Sequence, residues 1–510
     1  MDGNLTRRRW IRAGAAGVLP TLFARRKKPN VVVCLCDQLR AFEVGCYGNR
    51  VVRTPAIDRL AQEGFRFHTA VTNAPVCTPA RSVLLSGQYT RAGTGELGNY
   101  ADDPPAERRV RLTAPTLPEL FRQHGYQTAV IGKWHIHPDP FLLGFEKAIY
   151  PASIWEHHYE REYWQAEHNR TGLSSRDGRK VLVREFGPAF LSTRVRDYLR
   201  DHSDRPFFLY YNIELPHMPL GPGNMPEKYW RMYRPEDIPL RPNVWRDSKL
   251  AHDERWFTTY LVWDYAFRRD AEGRSTGAPP FAPGFNLRDL AAYYYGAVTA
   301  TDDLVGELMQ GISENGLEEN TIVVFLSDHG ENLGSHHRFN KGLLIEESIR
   351  IPLIVRWPGR LKPSSNEEHV ASTVDIMPTL LDLCGIGVPG HVQGRSLRPL
   401  LERRRTSLDG NFAFIETPSF QIGIRTPRHL YGITLRRPER VLSDSRLYYT
   451  VGDRGKGKPA ISDDRFQFFD LKEDPYEMNN LAGTDQQADT AAGLRQRLVE
   501  WHRATPWLVV

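Results

Sequence analysis

Continuous apolar runs of strand length alternate along the chain with stretches of helical periodicity. The runs cover residues 31–36, 127–131, 207–213 and 321–326. Apolar residues at helical spacing follow Thr54-Pro55, and a longer helical pattern extends from about Leu287 to Leu317. Runs without polar alternation are typical of strands that are buried on both faces of a parallel sheet. The pattern therefore predicts an α/β fold with a large, mostly parallel sheet flanked by helices.

The pattern changes after about residue 404. Short aromatic segments at 447–450 and 466–469 replace the long apolar runs, and a final amphipathic helix extends to Trp501. This predicts a small antiparallel α+β subdomain over 405–510, following a large domain over 29–404. Residues 218–286 are rich in Pro, Trp, Tyr and Arg without clear periodicity. They indicate a long insertion over the functional site.

Polar residues follow the carboxyl ends of four predicted strands. Open α/β sheets bind ligands at that edge, so these residues are candidates for a shared site. They are Asp37-Gln38, Lys133 with His135, His217, and Asp328-His329.

Charge is concentrated at the N-terminus. The 510 residues carry a formal net charge of +6, but residues 1–28 hold eight basic side chains and one acid, so the remaining chain is near −1. A nearly neutral body argues against nucleic acid as the partner. Arg7-Arg8-Arg9 before a short apolar run resembles a twin-arginine export signal over 1–28. We expect a periplasmic or extracellular protein, or a cytoplasmic one if the leader does not function.

Two further sequence features exclude other classes of protein. No later stretch is long and apolar enough to span a membrane. The five cysteines are few and include no C-x-x-C pair, which argues against a disulfide scaffold. Cys34 and Cys36 lie two apart in an apolar strand and are expected to pack on one side of the sheet.

The segment Cys77-Thr78-Pro79-Ala80-Arg81 has a different character. Pro79 suits the first turn of a helix, so Cys77 is expected at a helix N-terminus, where the free amides favour an anion. Arg81 falls one turn further along the same face. Together with the following Leu-Leu-Ser-Gly, this segment resembles the signature of the type I sulfatases, in which the cysteine is converted to formylglycine.

Other family motifs follow in order along residues 29–483. The matching residues are Asp37-Gln38, Lys133-Trp134-His135, Pro216-His217, Asp328-His329, Lys341 and the element Asp474-Pro475 to Asn480-Leu481. The resemblance implies the alkaline phosphatase-like fold and hydrolysis of sulfate esters, which we expect to be carried by a carbohydrate. It also implies a formylglycine-generating maturation enzyme as a partner.

The resemblance assigns roles to these residues. Asp37, Gln38, Asp328, His329 and residue 77 would hold one divalent metal ion; oxygen ligands favour Ca²⁺ or Mg²⁺, and the imidazole admits Mn²⁺.

The same resemblance assigns the chemistry at position 77. Arg81, Lys133 and Lys341 would supply positive charge around the sulfate. A hydroxyl of the hydrated aldehyde at position 77 would attack sulfur, and His217 or Lys341 would protonate the leaving alcohol. His135 would then take the proton of the second hydroxyl, releasing sulfate.

Two alternatives remain open. Gln38 stands where many sulfatases have Asp and resembles the phosphonate monoester hydrolases, so phosphonate monoesters or phosphodiesters are possible substrates. An unmodified Cys77 would instead leave a non-catalytic binder.

Trp134 is expected to pack, whereas the pairs His157-His158 and His336-His337 are expected to be solvated or to face the substrate. Aromatic and basic residues of the insertion are candidates for sugar recognition: Trp230, Arg231, Tyr233, Arg241 and Trp245.

Overall fold

The computed structural model describes residues 27–99, 108–153, 158–168, 174–244, 285–435 and 466–508. Nearly all of the predicted leader, the aromatic segment 447–450, His157 and Trp245 lie outside these residues. Within them, eleven strands form one large sheet and four form a second, smaller sheet.

The strands of the large sheet are β1 (Asn30–Asp37), β2 (Phe65–Val71), β3 (Gln127–Gly132), β4 (Lys147–Pro151), β5 (Arg161–Glu167), β6 (Arg179–Val183), β7 (Phe207–Pro216), β8 (Thr321–Ser327), β9 (Arg350–Ile351), β10 (Leu353–Arg356) and β11 (Ser364–Ser372). The small sheet contains β12 (Ala413–Glu416), β13 (Gln421–Arg425), β14 (His429–Thr434) and β15 (Phe466–Asp470). The α-helices are α1 (Pro55–Glu63), α2 (Cys77–Ser86), α3 (Thr90–Gly93), α4 (Leu117–Gln123), α5 (Gly187–Asp201), α6 (Glu227–Trp230), α7 (Leu287–Glu314), α8 (Glu346–Ile349), α9 (Ile376–Leu383), α10 (Arg398–Leu401) and α11 (Ala488–Ala504).

The centre of the large sheet is parallel, as predicted. The strand order is β11-β2-β10-β8-β1-β7-β3-β4-β5-β6, with β9 beside β2. The run β8-β1-β7-β3-β4 is parallel throughout. Antiparallel pairs extend it, with β10 beside β8 on one side and β5 and β6 on the other. The mixed α/β class is therefore confirmed.

Strand β1 lies at the middle of the sheet and is buried on both faces. Alternate residues enter two separate hydrophobic cores: Cys34 and Cys36 pack in one, and Val33 and Leu35 in the other. The prediction that the two cysteines share a side is confirmed. Helix α7 covers the first core, and an Asn286 capping box with Asp289 fixes its start.

The small sheet and helix α11 pack together at the C-terminal end. Ile424, Phe468, Leu498 and Trp501 form their shared core. The small sheet is antiparallel throughout, as predicted. The exact domain boundaries at 28 and 404 remain predictions. Of the helices that the structure describes, none combines the length and the apolar composition needed to cross a membrane.

Candidate active site

Four neighbouring parallel strands end at one edge of the large sheet. Asp37 is the last residue of β1, Lys133 follows β3, His217 follows β7 and Asp328 follows β8. Because β8, β1, β7 and β3 are adjacent in the sheet, residues far apart in sequence meet there. The turn after β3 needs Gly132, which has φ of 107°, and a Cβ at this position would lie 1.9 Å from the Asn212 carbonyl oxygen.

Cys77 is the first residue of helix α2, as predicted, and the entire helix is buried. The amide N–H of Thr78 donates to Asn99 Oδ1 at 3.0 Å, and the Thr78 hydroxyl donates to the His135 carbonyl at 2.9 Å. These contacts fix the first turn against the loop that follows β3. The Cys77 side chain is therefore held at the edge of the sheet with little freedom.

The Cys77 sulfur lies among positively charged groups. Its Sγ is 3.0 Å from Lys341 Nζ, 3.2 Å from His329 Nε2 and 3.9 Å from Lys133 Nζ. Burial alone would raise the pKa of the thiol, but these three groups lower it well below its ordinary value. The site therefore stabilises a negative charge on the side chain at position 77.

Arg81 makes contacts that the sequence did not specify. Its Nη2 lies 3.1 Å from Asp37 Oδ2 and 2.9 Å from Asp328 Oδ2, and its Nη1 donates to the Lys133 carbonyl at 3.1 Å. All three side chains are fully buried. In this arrangement, the guanidinium is directed at the two carboxylates and holds them together. The direct positive charge toward an anion at position 77 comes from Lys133 and Lys341.

Gln38 completes the cluster from the end of β1. Its side-chain oxygen accepts a hydrogen bond of 2.7 Å from Lys341 Nζ, and its amide nitrogen donates to Glu331. Its backbone has φ of 68°, and its carbonyl accepts from the Tyr294 hydroxyl at 2.6 Å. We did not predict Tyr294 or Glu331 from the sequence, although Glu331 lies only three residues after Asp328 and could have been suspected.

His135 and His217 both interact with the Cys77 side chain. Burial is the main cause that lowers the pKa of each imidazole. Lys133 and Lys341 add to this for His217, whose pKa falls to about 4. Both rings are therefore neutral near pH 7 in this environment and can accept a proton or hydrogen bond.

The donor set suits one divalent metal ion. Ligand atoms of Asp37, Cys77, Asp328 and His329 all lie within 4.8 Å of one another, and all four residues are buried. Two carboxylates and the neighbouring Gln38 oxygen supply hard oxygen ligands, and the imidazole supplies nitrogen. The structure thus brings together the residues that were predicted from the sequence for catalysis and for metal binding.

The prediction of a solvated or substrate-facing His158 is not supported by its contacts. His158 is buried, and its Nδ1 lies 3.6 Å from Glu214 Oε2. Arg161 Nη1 binds the same carboxylate at 2.8 and 3.0 Å. The ion pair between β5 and β7 draws the imidazole into the protein interior.

Replacing Arg161 by glutamine is expected to make the fold more sensitive to acid. Burial alone would raise the pKa of Glu214, but Arg161 and His158 lower it from 4.5 to about 2. The ionised Glu214 therefore stabilises the fold above about pH 4.5, and this contribution is lost as the pH falls toward about 2. In an acid titration followed by circular dichroism, the variant should unfold at a higher pH. Arg194→Gln, which breaks a partly exposed pair with Asp197, is the control; equal midpoints for all three proteins would contradict the expectation.

His336 is also buried, contrary to the prediction. It lies with Glu347 and Glu477, and the Asn243 amide donates to Glu347 at 2.8 Å. Arg241 Nε pairs with the same glutamate at 2.7 Å. This cluster attaches the Asp474–Leu481 element to the loop after β8.

Two of the candidate residues in the described part of the insertion, Tyr233 and Arg241, contact other segments of the protein. The Tyr233 hydroxyl is 2.6 Å from Thr299 Oγ1, and the Arg241 guanidinium stacks on Phe42 with 3.9 Å to the ring centroid. The predicted role of these two residues in sugar recognition is therefore not supported by their contacts.

The fold and this buried cluster are those of the alkaline phosphatase-like class of hydrolases. The sulfatase family model matches residues 29–386. An ulvan-active sulfatase of Formosa agariphila is 30% identical, with 93% of this chain and 81% of the relative covered. An N-acetylglucosamine-6-O-sulfatase of Bacteroides thetaiotaomicron is 28% identical, with 93% and 86% covered.

A solved structure in complex with D-glucosamine-2-N,6-O-disulfate superposes with a TM-score of 0.72 at 23% identity, with 94% of this chain and 98% of that chain covered. The chain belongs to the sulfatase family and is a sulfuric ester hydrolase. The family implies a divalent metal ion and a cysteine-derived formylglycine, for which the Asp37–Cys77–Asp328–His329 group is the candidate site.

Proposed function

We propose that this enzyme hydrolyses sulfate monoesters on a carbohydrate, with Cys77 matured to formylglycine and one Ca²⁺ at the buried cluster. The observation that carries the proposal is the convergence of Lys133, Lys341 and His329 on the side chain at position 77. The similarity to carbohydrate sulfatases over most of the chain supports the substrate class.

Different residues of the site would bind the metal ion and the sulfate group. Asp37, Asp328, His329 and Gln38 would hold the metal ion, which when bound polarises the sulfate oxygens and activates the oxygen nucleophile at position 77. Lys133 lies 2.6 Å from Asp37 Oδ2 and would bind a sulfate oxygen together with Lys341.

Lys341 and His135 would carry out the two proton transfers of the reaction. Burial lowers the pKa of Lys341, but the Cys77 thiol and Asp37 raise it above its ordinary value. An ammonium at this position would give its proton to the leaving alcohol. His217, with its lowered pKa, is less suited to that step. Neutral His135 would take the proton of the second hydroxyl at position 77 as sulfate departs.

A substrate panel and mass spectrometry test the proposal together. Protein co-expressed with a formylglycine-generating enzyme should show the formylglycine mass on the Cys77 peptide and hydrolyse sulfated saccharides. An unmodified thiol in active material would refute the formylglycine mechanism. Sulfated saccharides differing in linkage position, assayed by kcat/KM, then define the substrate.

Removal of divalent metal is expected to abolish turnover. Ligand atoms of Asp37 and Asp328 lie within 4.8 Å of each other. Without the metal ion, only the side-chain cations would offset the repulsion between these carboxylates and the anionic substrate. Dialysis against a chelator should reduce activity to background, and added Ca²⁺ should restore it more fully than Mg²⁺ or Mn²⁺. Full activity in chelator with no metal detected by elemental analysis would exclude a metal-dependent mechanism.

The second candidate function is hydrolysis of phosphonate monoesters or phosphodiesters. The observation that favours it is the presence of Gln38, because an amide in place of a carboxylate removes one negative charge from the site. Assaying both substrate series on one preparation separates the two candidates. A phosphorus ester with the higher kcat/KM would overturn the sulfatase assignment of the natural substrate.

We further propose that the N-terminal leader directs export. The paired arginines and the short apolar run support this. Replacing Arg7, Arg8 and Arg9 by lysine should retain the protein in the cytoplasm of a host with a twin-arginine pathway, as measured by fractionation. Unchanged distribution between the fractions would refute the assignment.

A further inference from the structure

Gln38 presents an amide at a place where the sequence pattern usually has a carboxylate. An amide has one oxygen that accepts hydrogen bonds and one nitrogen that donates them. Only one of its two orientations supplies an oxygen ligand. Whatever fixes that orientation decides whether Gln38 can serve a metal ion.

The two ends of the Gln38 amide contact groups of opposite character. Lys341 Nζ, which can only donate, lies 2.7 Å from Oε1. Glu331 Oε2 accepts from the Nε2 group on the other side. Gln38 and Glu331 are each about 1% exposed, so water cannot replace either partner.

Glu331 is itself held firmly. Its Oε1 accepts hydrogen bonds from the backbone N–H groups of Leu333 at 3.0 Å and Asn340 at 2.7 Å. Both of these residues have positive φ, at 43° and 65°, so the loop is shaped around the carboxylate. Asn340 directly precedes Lys341, and Glu331 therefore fixes both the amide of Gln38 and the start of the segment that carries the lysine.

We propose that Glu331 is a positioning residue that orients the Gln38 amide so that its oxygen faces the metal ion and position 77. The inference rests on the proposed function, since it concerns the metal site of that reaction. It also accounts for the departure at position 38. Gln38 lacks the negative charge of a carboxylate, but Glu331 supplies a carboxylate one hydrogen bond further from the metal. That carboxylate polarises the Gln38 amide and acts on the metal site through it.

The decisive variant is Glu331→Gln. The new side chain is nearly isosteric and can keep its oxygen on the two backbone N–H groups. The amide nitrogen at position 331 would then face the Gln38 nitrogen, and two donors cannot form a hydrogen bond with each other. The Gln38 amide should therefore rotate, which would turn the Gln38 nitrogen toward the metal site. We expect Ca²⁺ affinity of the chelator-stripped full chain, measured by isothermal titration calorimetry, to fall about 10- to 100-fold, with a similar loss in kcat.

The double variant Glu331→Gln with Gln38→Glu distinguishes orientation from general damage. The amide at position 331 can donate to the carboxylate at position 38, which again presents an oxygen to the metal. We expect this variant to recover most of the Ca²⁺ affinity, whereas Gln38→Glu alone places two buried carboxylates together and should be defective. The double variant is informative whether or not either single variant folds, because the proposal requires it to fold and bind Ca²⁺.

Glu416→Gln is the matched control. Glu416 is fully buried and pairs with Arg91, and it does not belong to the group of candidate metal ligands, so its replacement should lower the melting temperature without changing Ca²⁺ affinity. Wild-type affinity in Glu331→Gln, or no recovery in the double variant, would overturn the positioning role while leaving the proposed function intact. A wild-type chain that binds no Ca²⁺ or other divalent ion would overturn the metal part of the proposed function, and the inference with it.

Discussion

Replacing Cys77 by alanine is expected to reduce kcat/KM by about 10⁶-fold, the order seen when a covalent nucleophile is removed from a hydrolase. The cationic groups around position 77 remain, but no atom is left there to attack sulfur. The fold should persist, because the substitution removes only the outer atoms of one side chain from a helix whose backbone contacts are unchanged. Initial rates on the best sulfated substrate, together with a thermal melt, test this expectation.

Replacing Cys77 by serine separates nucleophilic attack from product release. A single hydroxyl could take the sulfate, but it has no second hydroxyl whose proton could be removed to expel it. We expect at most one equivalent of alcohol released per enzyme, after which the reaction stops. Cys384→Ala, at a partly buried cysteine outside the site, is the matched control and should be fully active. Steady turnover by the alanine variant would contradict the role given to position 77.

Replacing Arg81 by glutamine is expected to cost about 3–5 kcal/mol of unfolding free energy, the range for breaking a buried ion pair from one side. Asp37 and Asp328 are fully buried and share this guanidinium. Burial together with the carboxylate of Asp37 already raises the pKa of Asp328. Without Arg81, less positive charge would offset the repulsion between the Asp37 and Asp328 carboxylates.

The loss should be measured by urea denaturation in the presence of chelator, so that a bound cation does not replace the missing charge. We also expect no detectable turnover, because the two carboxylates lose their shared position. Arg81→Lys should recover little, since a single ammonium cannot bind both acids and the Lys133 carbonyl. Arg398→Gln removes a partly exposed guanidinium that pairs with Asp382 and should change stability by less than about 1 kcal/mol. A stability of Arg81→Gln equal to that of this control would refute the structural role.

Much of the fold could be predicted because its central strands are buried on both faces. Such strands appear in sequence as unbroken apolar runs, and all four that we identified are strands of the large sheet. The outer strands were not predicted. Strand β6 is largely exposed and contains Arg179 and Lys180, and β9 has only two residues, so neither has an apolar pattern that distinguishes it from a loop.

The site was predictable to the extent that its residues end strands or begin a helix. Their residue types and their order can therefore be recognised in the sequence. The sequence could not show where buried polar side chains point. His158 and His336 look like solvent-exposed histidines in the sequence, but acids from distant segments draw both into the interior.

The sequence by itself determined the class of fold and predicted the nucleophile position and most members of the charged cluster, because strand burial and helix starts are local properties. Tertiary structure alone decided how those members are used. It directs Arg81 at two carboxylates, brings Lys341 to position 77 and places Glu331 behind Gln38. These contacts join residues about 50 to 300 positions apart, and only the packing of β8, β1, β7 and β3 side by side brings them within hydrogen-bonding distance.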